Sequence, residues 1–426
     1  MSRALHIHEL RWYNMNKQWM RKEGQKWIAD NIISEDQLDL ILERYPDSND
    51  NRKVTGVLPI LASVLIGIGI LSFIASNWGE ISPIARLSLL IVFMLGFYYS
   101  GERYLKTGHR SLGTSLNLLG IITFGASIIL LGQTFNLNAV DARLFVFWSL
   151  PAIFYLFRDR HRLYFFLLGL LTVGGQLYST SEFQSFSYLL CIVFIVAVGG
   201  FVFLYPSTLK SWIFTIGFSI QVLMFITVTD INLLWFFLVG FALFTSSLWL
   251  EKKVFKQPFN RVGTLIAFGF AYGLYFLLTN EFSSDFELPN PYLFIPVLVV
   301  LFALSVLGKR MENIYMHAWE LLIFMPFFYL IKVTDPLIVG IVYLIIMFVY
   351  SGFKLAEGYR NESRSQINFG IVLFLLVCLM GYFNLAWSFM PKSIFFLLGG
   401  VLLFILNAYL QRKKKQILKN GGPHHD

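Results

Sequence analysis

Long apolar runs broken by short polar stretches recur from residue 55 to residue 411. A helix that crosses hydrocarbon needs roughly 20 mostly apolar residues, because each backbone N–H and C=O must find its partner within the segment. On that period the chain is predicted to span fourteen times, at 55–76, 84–100, 112–132, 140–157, 161–179, 185–204, 210–229, 231–250, 261–279, 291–308, 317–331, 335–352, 365–385 and 391–411. The weakest of these is 317–331, which is short and contains Pro326.

The first 54 residues are polar and charged, so the first span is expected to be a retained helix rather than a cleaved leader. They read as two short helices. Trp12, Trp19 and Trp27 give the first an apolar side. Ser34 and Gln37 have the spacing of a capping box; Leu38, Ile41 and Leu42 then share a face, and Pro46 closes the helix. The expectation is a cytoplasmic helical hairpin, lying on the inner leaflet or against the bundle, with a cytosolic protein partner as the alternative use.

Composition agrees with the spacing. The chain is 56% hydrophobic and 14% charged, against about 25% charged in soluble domains, and its mean hydropathy is +0.64. The expected fold class is all-α, a polytopic integral membrane helical bundle. Charge distribution then orients it. With the N-terminus cytoplasmic, 30 of the 34 Lys and Arg fall on the inner side, leaving Arg86, Arg143, Lys332 and Lys392 outside. This is the excess expected of cytoplasmic loops, and it puts both termini in the cytoplasm. Stretches such as "RDRHR" (158–162) and "QRKKKQILK" (411–419) are expected to anchor the topology and contact anionic membrane lipids. The positive charge is spread over short loops, which argues against nucleic acid despite the net +9. Cys191 and Cys378 fall inside predicted spans and belong to no CxxC, so they read as small apolar residues. "LLGIITFGA" (118–126) and "LLGLLTVGG" (167–175) echo one another, a weak hint of repeated helix pairs.

The stretches "GILSFIASNWGEISPIARLSLL" (69–90) and "FGASIILLGQTFNLNAVDARLFVFWSLPAIFYLFRDR" (124–160) resemble a family of bacterial membrane proteins, domain of unknown function 2157. Asn77, Trp78, Arg86, Gly132, Gln133 and Phe135 carry the likeness, with Trp27, Ile33, Ser34, Gln37 and Ile41 of the N-terminal pair. It covers roughly residues 20 to 160. The resemblance implies a bacterial cytoplasmic (plasma) membrane location and no established activity.

No phosphate loop, HExxH, serine elbow or paired Cys/His arrangement is present, and "GIGILS" (67–72) lies inside a span as a small-residue packing face. No cofactor or metal is expected. The densest polar set falls at the outer ends of the first four spans: Asn77, Trp78, Glu80, Arg86, Gln133, Asn136, Asn138, Asp141 and Arg143. Its plain reading is helix caps and interfacial anchors; its functional reading is a binding vestibule. Ser82 and Pro83 suit the N-cap and first position of the second span, placing Arg86 in its opening turn, where the helix dipole disfavours a cation. The expected partners for Arg86 are Asp141 or Glu80, with Gln133 completing the set. A secondary candidate is the pair His317 and Glu320, three residues apart on one helix face and too few for a metal site. The acidic residues Glu281, Asp285 and Glu287 of an outer loop read as solvation.

Two functions fit. One is transport or handling of a small amphipathic or lipid-like molecule, to which the near absence of mid-span charge is the objection. The other is a scaffold or sensor that engages a cytosolic partner through the hairpin. An enzyme fits least, since no catalytic set converges. A polar cavity would favour the first; a solid core of Phe and Leu would favour the second.

Overall fold

The computed structural model describes residues 34–43, 82–134, 141–279, 287–308 and 314–386, with single positions between 24 and 33, 62 and 69, and 397 and 409. All regular structure among them is helical. The chain divides into two compact units, Met1–Leu137 and Asn138–Asp426.

In the first unit, α1 (Glu35–Glu43) begins with the expected capping box. Ser34 N donates to Gln37 Oε1 at 3.0 Å, and Gln37 N donates to Ser34 Oγ at 3.3 Å. Leu38 and Leu42 are buried, with Ile28, Ile33 and Ile41 packed on them. Pro46 lies outside the described residues. Helices α2 (Pro83–Lys106) and α3 (Arg110–Thr134) form an antiparallel pair turned at Gly108, whose φ of 87° is costly for any residue with a Cβ. Ser82 caps α2 by accepting from Ala85 N at 3.4 Å, and Pro83 takes the first helical position, as the sequence suggests. Asn117 of α3 is buried and donates to Glu102 Oε1 at 3.3 Å.

The second unit contains α4 (Arg143–Asp159), α5 (Arg162–Phe183), α6 (Tyr188–Leu204), α7 (Thr208–Val228), α8 (Trp235–Trp249), α9 (Lys253–Thr279), α10 (Pro291–Gly308), α11 (Ile314–Leu321), α12 (Pro336–Arg360) and α13 (Arg364–Ala386). Phe194–Gly199 of α6 winds as a π-helix, and Phe194 stacks on Phe214 of α7 at 5.6 Å. The echoing glycines 120 and 169 lie on α3 and α5, against Tyr98 and Ile213. Helices α8 and α9 cross where Gly240 meets Gly263; a Cβ on Gly263 would collide with the Gly240 carbonyl and sit 2.7 Å from Phe244 N. Helices α9, α12 and α13 pack in sequence beside this pair.

Among the described residues, eight helices are long and apolar enough to cross a membrane: α2, α3, α5, α7, α9, α10, α12 and α13. Helices α6 and α8 are shorter apolar helices at two further predicted spans, and α4 occupies the predicted 140–157. The predicted spans 55–76 and 391–411 lie almost wholly outside the described residues. Span 317–331 is not one helix. After α11 the chain makes a 3-10 turn at Leu322–Phe324, extends at Met325, and resumes as 3-10 helix over Phe327–Lys332. Pro326 is the cause: it has no N–H, and its ring would clash with the Leu322 carbonyl in a continuous helix. One side of the interrupted segment faces the core. Phe324 and Phe328 are fully enclosed, and Tyr343 Oη of α12 accepts from Phe328 N at 2.9 Å.

The core of this unit is aromatic. Phe324 lies 4.5 Å from Phe241 and 4.9 Å from Phe244, and Phe328 lies 5.7 Å from Phe294.

Candidate functional site

Several helix ends of the second unit meet at one end of the bundle: the last turns of α8, α10 and α12 and the first turns of α9 and α13. They enclose a polar cavity of about 890 Å³. Its wall on α9 is a stripe made by Lys253, Lys256, Gln257, Asn260 and Arg261, at offsets of three, four, seven and eight from the first. That spacing puts all five on one helical face, while Phe255, Pro258 and Val262 between them are buried. The ninth span is predicted to begin at 261, with the preceding cations in a loop. The helix in fact starts at Lys253. "KVFKQPFNR" carried the signal as a helical polar periodicity.

The floor is a buried charge cluster. Lys354 of α12 places Nζ 2.7 Å from Glu320 Oε1 and 3.0 Å from Glu357 Oε2. Glu320 is on the last turn of α11, and Glu357 lies one turn beyond Lys354 on the same face of α12. The side chains of Lys354 and Glu320 are 10% and 7% exposed, so one ammonium is shared by two carboxylates where water is scarce. The twelfth span is predicted to end at 352, whereas α12 continues to Arg360, and Lys354 sits in this extension, six residues or about 9 Å from its end. Beneath the floor, Tyr350 Oη and Thr264 Oγ1 lie 3.4 Å apart, both fully enclosed, and the aromatic core begins beyond them.

The opposite wall is the first turn of α13. Ser363 caps it by accepting from Gln366 N at 3.4 Å. Glu362 precedes it with φ 50°, so the reversal from α12 is made in the left-handed region without a glycine. Arg261 bridges the two walls: its guanidinium donates to Ser365 O and Ser365 Oγ, both at 2.8 Å, and lies over Phe369. The Gln257 amide joins the same bridge, 3.0 Å from Ser365 Oγ. Lys253, Lys256 and Arg364 at the mouth are exposed and have no ion-pair partner among the described residues. The arrangement can bind a charged group at its mouth; it contains no nucleophile and base in contact.

Of the residues singled out from sequence, Glu320 belongs to this cavity. Its described partner is Lys354, 34 positions away, which helix-face spacing could not reveal. The side chain of His317 lies outside the described residues, as do Asn77, Trp78, Glu80, Asn136, Asn138 and the side chain of Gln133. Arg86 is half-buried in the first turn of α2. Asp141 lies one residue before Ala142, the N-cap of α4; it accepts from Arg143 N at 2.9 Å and pairs with the Arg143 guanidinium at 2.7 Å. Glu287 is described and its carbonyl accepts from Asn232 at 2.7 Å, whereas Glu281 and Asp285 are not described. No group of three or more metal-ligating side chains occurs among the described residues. Cys191 and Cys378 are free thiols, half-buried.

No curated protein and no solved structure matches the chain. The cavity is lined by residues 248–369, outside the segment that matches a family model. Residues 25–163, from the N-terminal helices to the start of α5, match the family model described as "Predicted membrane protein (DUF2157)".

Proposed function

We propose that this membrane protein binds and handles a small amphipathic or lipid-like molecule, taken up at the polar cavity formed by α8 to α13. The carrying observation is the cavity itself: about 890 Å³ of polar-walled space at one end of an otherwise aromatic bundle. Sites for small molecules typically enclose 300–1,000 Å³, and a scaffold has no need of one. Leu248 and Phe369 give the rim an apolar side beside the charged one, which suits a ligand with both characters. The cavity end carries Lys253, Lys256, Arg360 and Arg364, and Lys332 lies at the far ends of the same helices. The positive-inside rule makes the basic end cytoplasmic, in keeping with both termini in the cytoplasm and a bacterial plasma membrane. Beyond the Lys354 floor the bundle is filled by the aromatic cluster around Phe324, so passage across the membrane would require the interrupted segment at Met325 and Pro326 to move. Broken helices serve that purpose in transporters.

The test is equilibrium binding to the purified full chain in phosphatidylcholine nanodiscs, using dodecyl phosphate, dodecyltrimethylammonium and dodecyl maltoside. Saturable 1:1 binding of at least one, abolished by the cavity-filling Gln366→Trp, supports the reading; no saturable binding overturns it. The scaffold alternative draws on exposed Ile32 and Leu40 of the N-terminal hairpin, 66% and 64% accessible.

A further inference from the structure

We infer that the cavity selects a phosphate-type dianion as the headgroup of its ligand. This rests on the amphipath-binding reading above and adds the ligand's charge class. Five cationic side chains line the cavity against two carboxylates, and both carboxylates are engaged by one of the five, Lys354. The positive excess therefore lies at the mouth, on Lys253, Lys256, Arg261 and Arg364. Arg261 is held in place by Ser365 and Gln257, so its guanidinium is oriented before any ligand arrives. The other three extend from two different walls, which lets them converge on one group from separate directions.

A carboxylate would use one or two of these cations and leave the rest repelling each other. A phosphate monoester carries about −1.5 to −2 charge on three acceptor oxygens. It matches a donor set made of one planar guanidinium, a second Arg and two flexible ammonium groups. A cationic or zwitterionic head would meet the same excess as repulsion. The carboxylates on the floor are separated from the mouth by Lys354, which shields an incoming anion from them.

The experiment compares four probes on the full chain in phosphatidylcholine nanodiscs: dodecyl phosphate, inorganic phosphate, dodecyltrimethylammonium and dodecyl maltoside. The variants are Lys256→Gln/Arg364→Gln at the mouth and Lys106→Gln at the end of α2 as a charge control. Dodecyl phosphate is expected to bind at least about tenfold more tightly than the other dodecyl probes, equivalent to about 1.4 kcal/mol. The double variant should weaken it about tenfold or more, and Lys106→Gln should not. Weak displacement by inorganic phosphate, at millimolar levels, assigns the site to a lipid-like phosphate. Displacement by inorganic phosphate as tight as by dodecyl phosphate keeps the anion site, makes free phosphate its source, and overturns the amphipath reading instead. Equal binding of all three dodecyl probes, unchanged in the double variant, overturns the phosphate inference while leaving the amphipath reading intact. Binding of no probe overturns both.

Discussion

Replacing Lys354 with Met takes away the ammonium that Glu320 and Glu357 share while keeping a side chain of similar length against Tyr350 and Phe353. Two unit charges about 3 Å apart interact by about 5–6 kcal/mol at an effective dielectric near 20. Most of that offsets the cost of taking an ammonium and a carboxylate out of water, so the pair adds little net stability. Removing one partner is different, because the remaining charge keeps its burial cost without the attraction; such changes cost about 3–5 kcal/mol. Both carboxylates border the cavity, but Glu320, at 7% exposure, is buried more deeply than Glu357, at 17%. The expected loss is therefore about 3 kcal/mol or more for Lys354→Met and about 1 kcal/mol for Glu357→Gln. Adding Glu320→Gln to Lys354→Met should recover part of the loss, because the stranded charge goes too. Unfolding by SDS in mixed micelles, followed by far-UV circular dichroism, gives the comparison. A Lys354→Met loss below about 1 kcal/mol, or a double variant as destabilised as the sum of the two singles, would refute a coupled buried charge cluster.

Three further outcomes are expected. His161 caps α5 by accepting from Leu163 N at Nδ1, 3.3 Å away, and burial, followed by the neighbouring Arg162, lowers its pKa against an opposing effect of Asp159. A lowered folded-state value means that its contribution is complete above the ordinary imidazole pKa of about 6.5 and is lost as pH falls through the folded value. The stability of wild type relative to His161→Asn should thus decline from pH 7.5 to pH 5, and a constant difference would contradict the cap. Gly263→Val forces a branched side chain into the Gly240 carbonyl and should cost about 1–3 kcal/mol or more, measured by the same SDS titration; a neutral result would mean that α8 and α9 do not cross there. Reporter fusions after residues 50 and 415 should both give cytoplasmic signals, since the basic excess sets orientation; an extracytoplasmic signal from either would overturn the threading.

Apolar run length located the helices well, because bilayer-length hydrophobicity is a local property; α2, α3, α5 and α7 fall where the runs do. Local caps were equally legible, since Ser34 with Gln37 and Ser82 with Pro83 act within one turn. The ends of α9 and α12 were misread for one reason. Hydropathy ends a span where charges begin, whereas Lys253–Arg261 and Lys354–Arg360 continue as helix with polar side chains lining the cavity. The cavity was lost with them. Glu320 was noticed for its neighbour in sequence, but its described partner comes from another helix, and no periodicity carries that information.

The interruption after α11 also bears on how the protein is made. Phe328 N, left without a helical acceptor, is satisfied by the hydroxyl of Tyr343, which the ribosome supplies 15 residues later. Phe324 and Phe328 are enclosed by Phe237, Phe241 and Phe244 of α8, synthesised long before. The contacts of this segment are therefore complete only once α12 has been made. The segment must wait, with α8 and α9 already in place, until α12 follows. Its assembly is a late, post-insertion event, and cellular quality control would meet any variant that cannot complete it as a chain with one segment left outside the bundle.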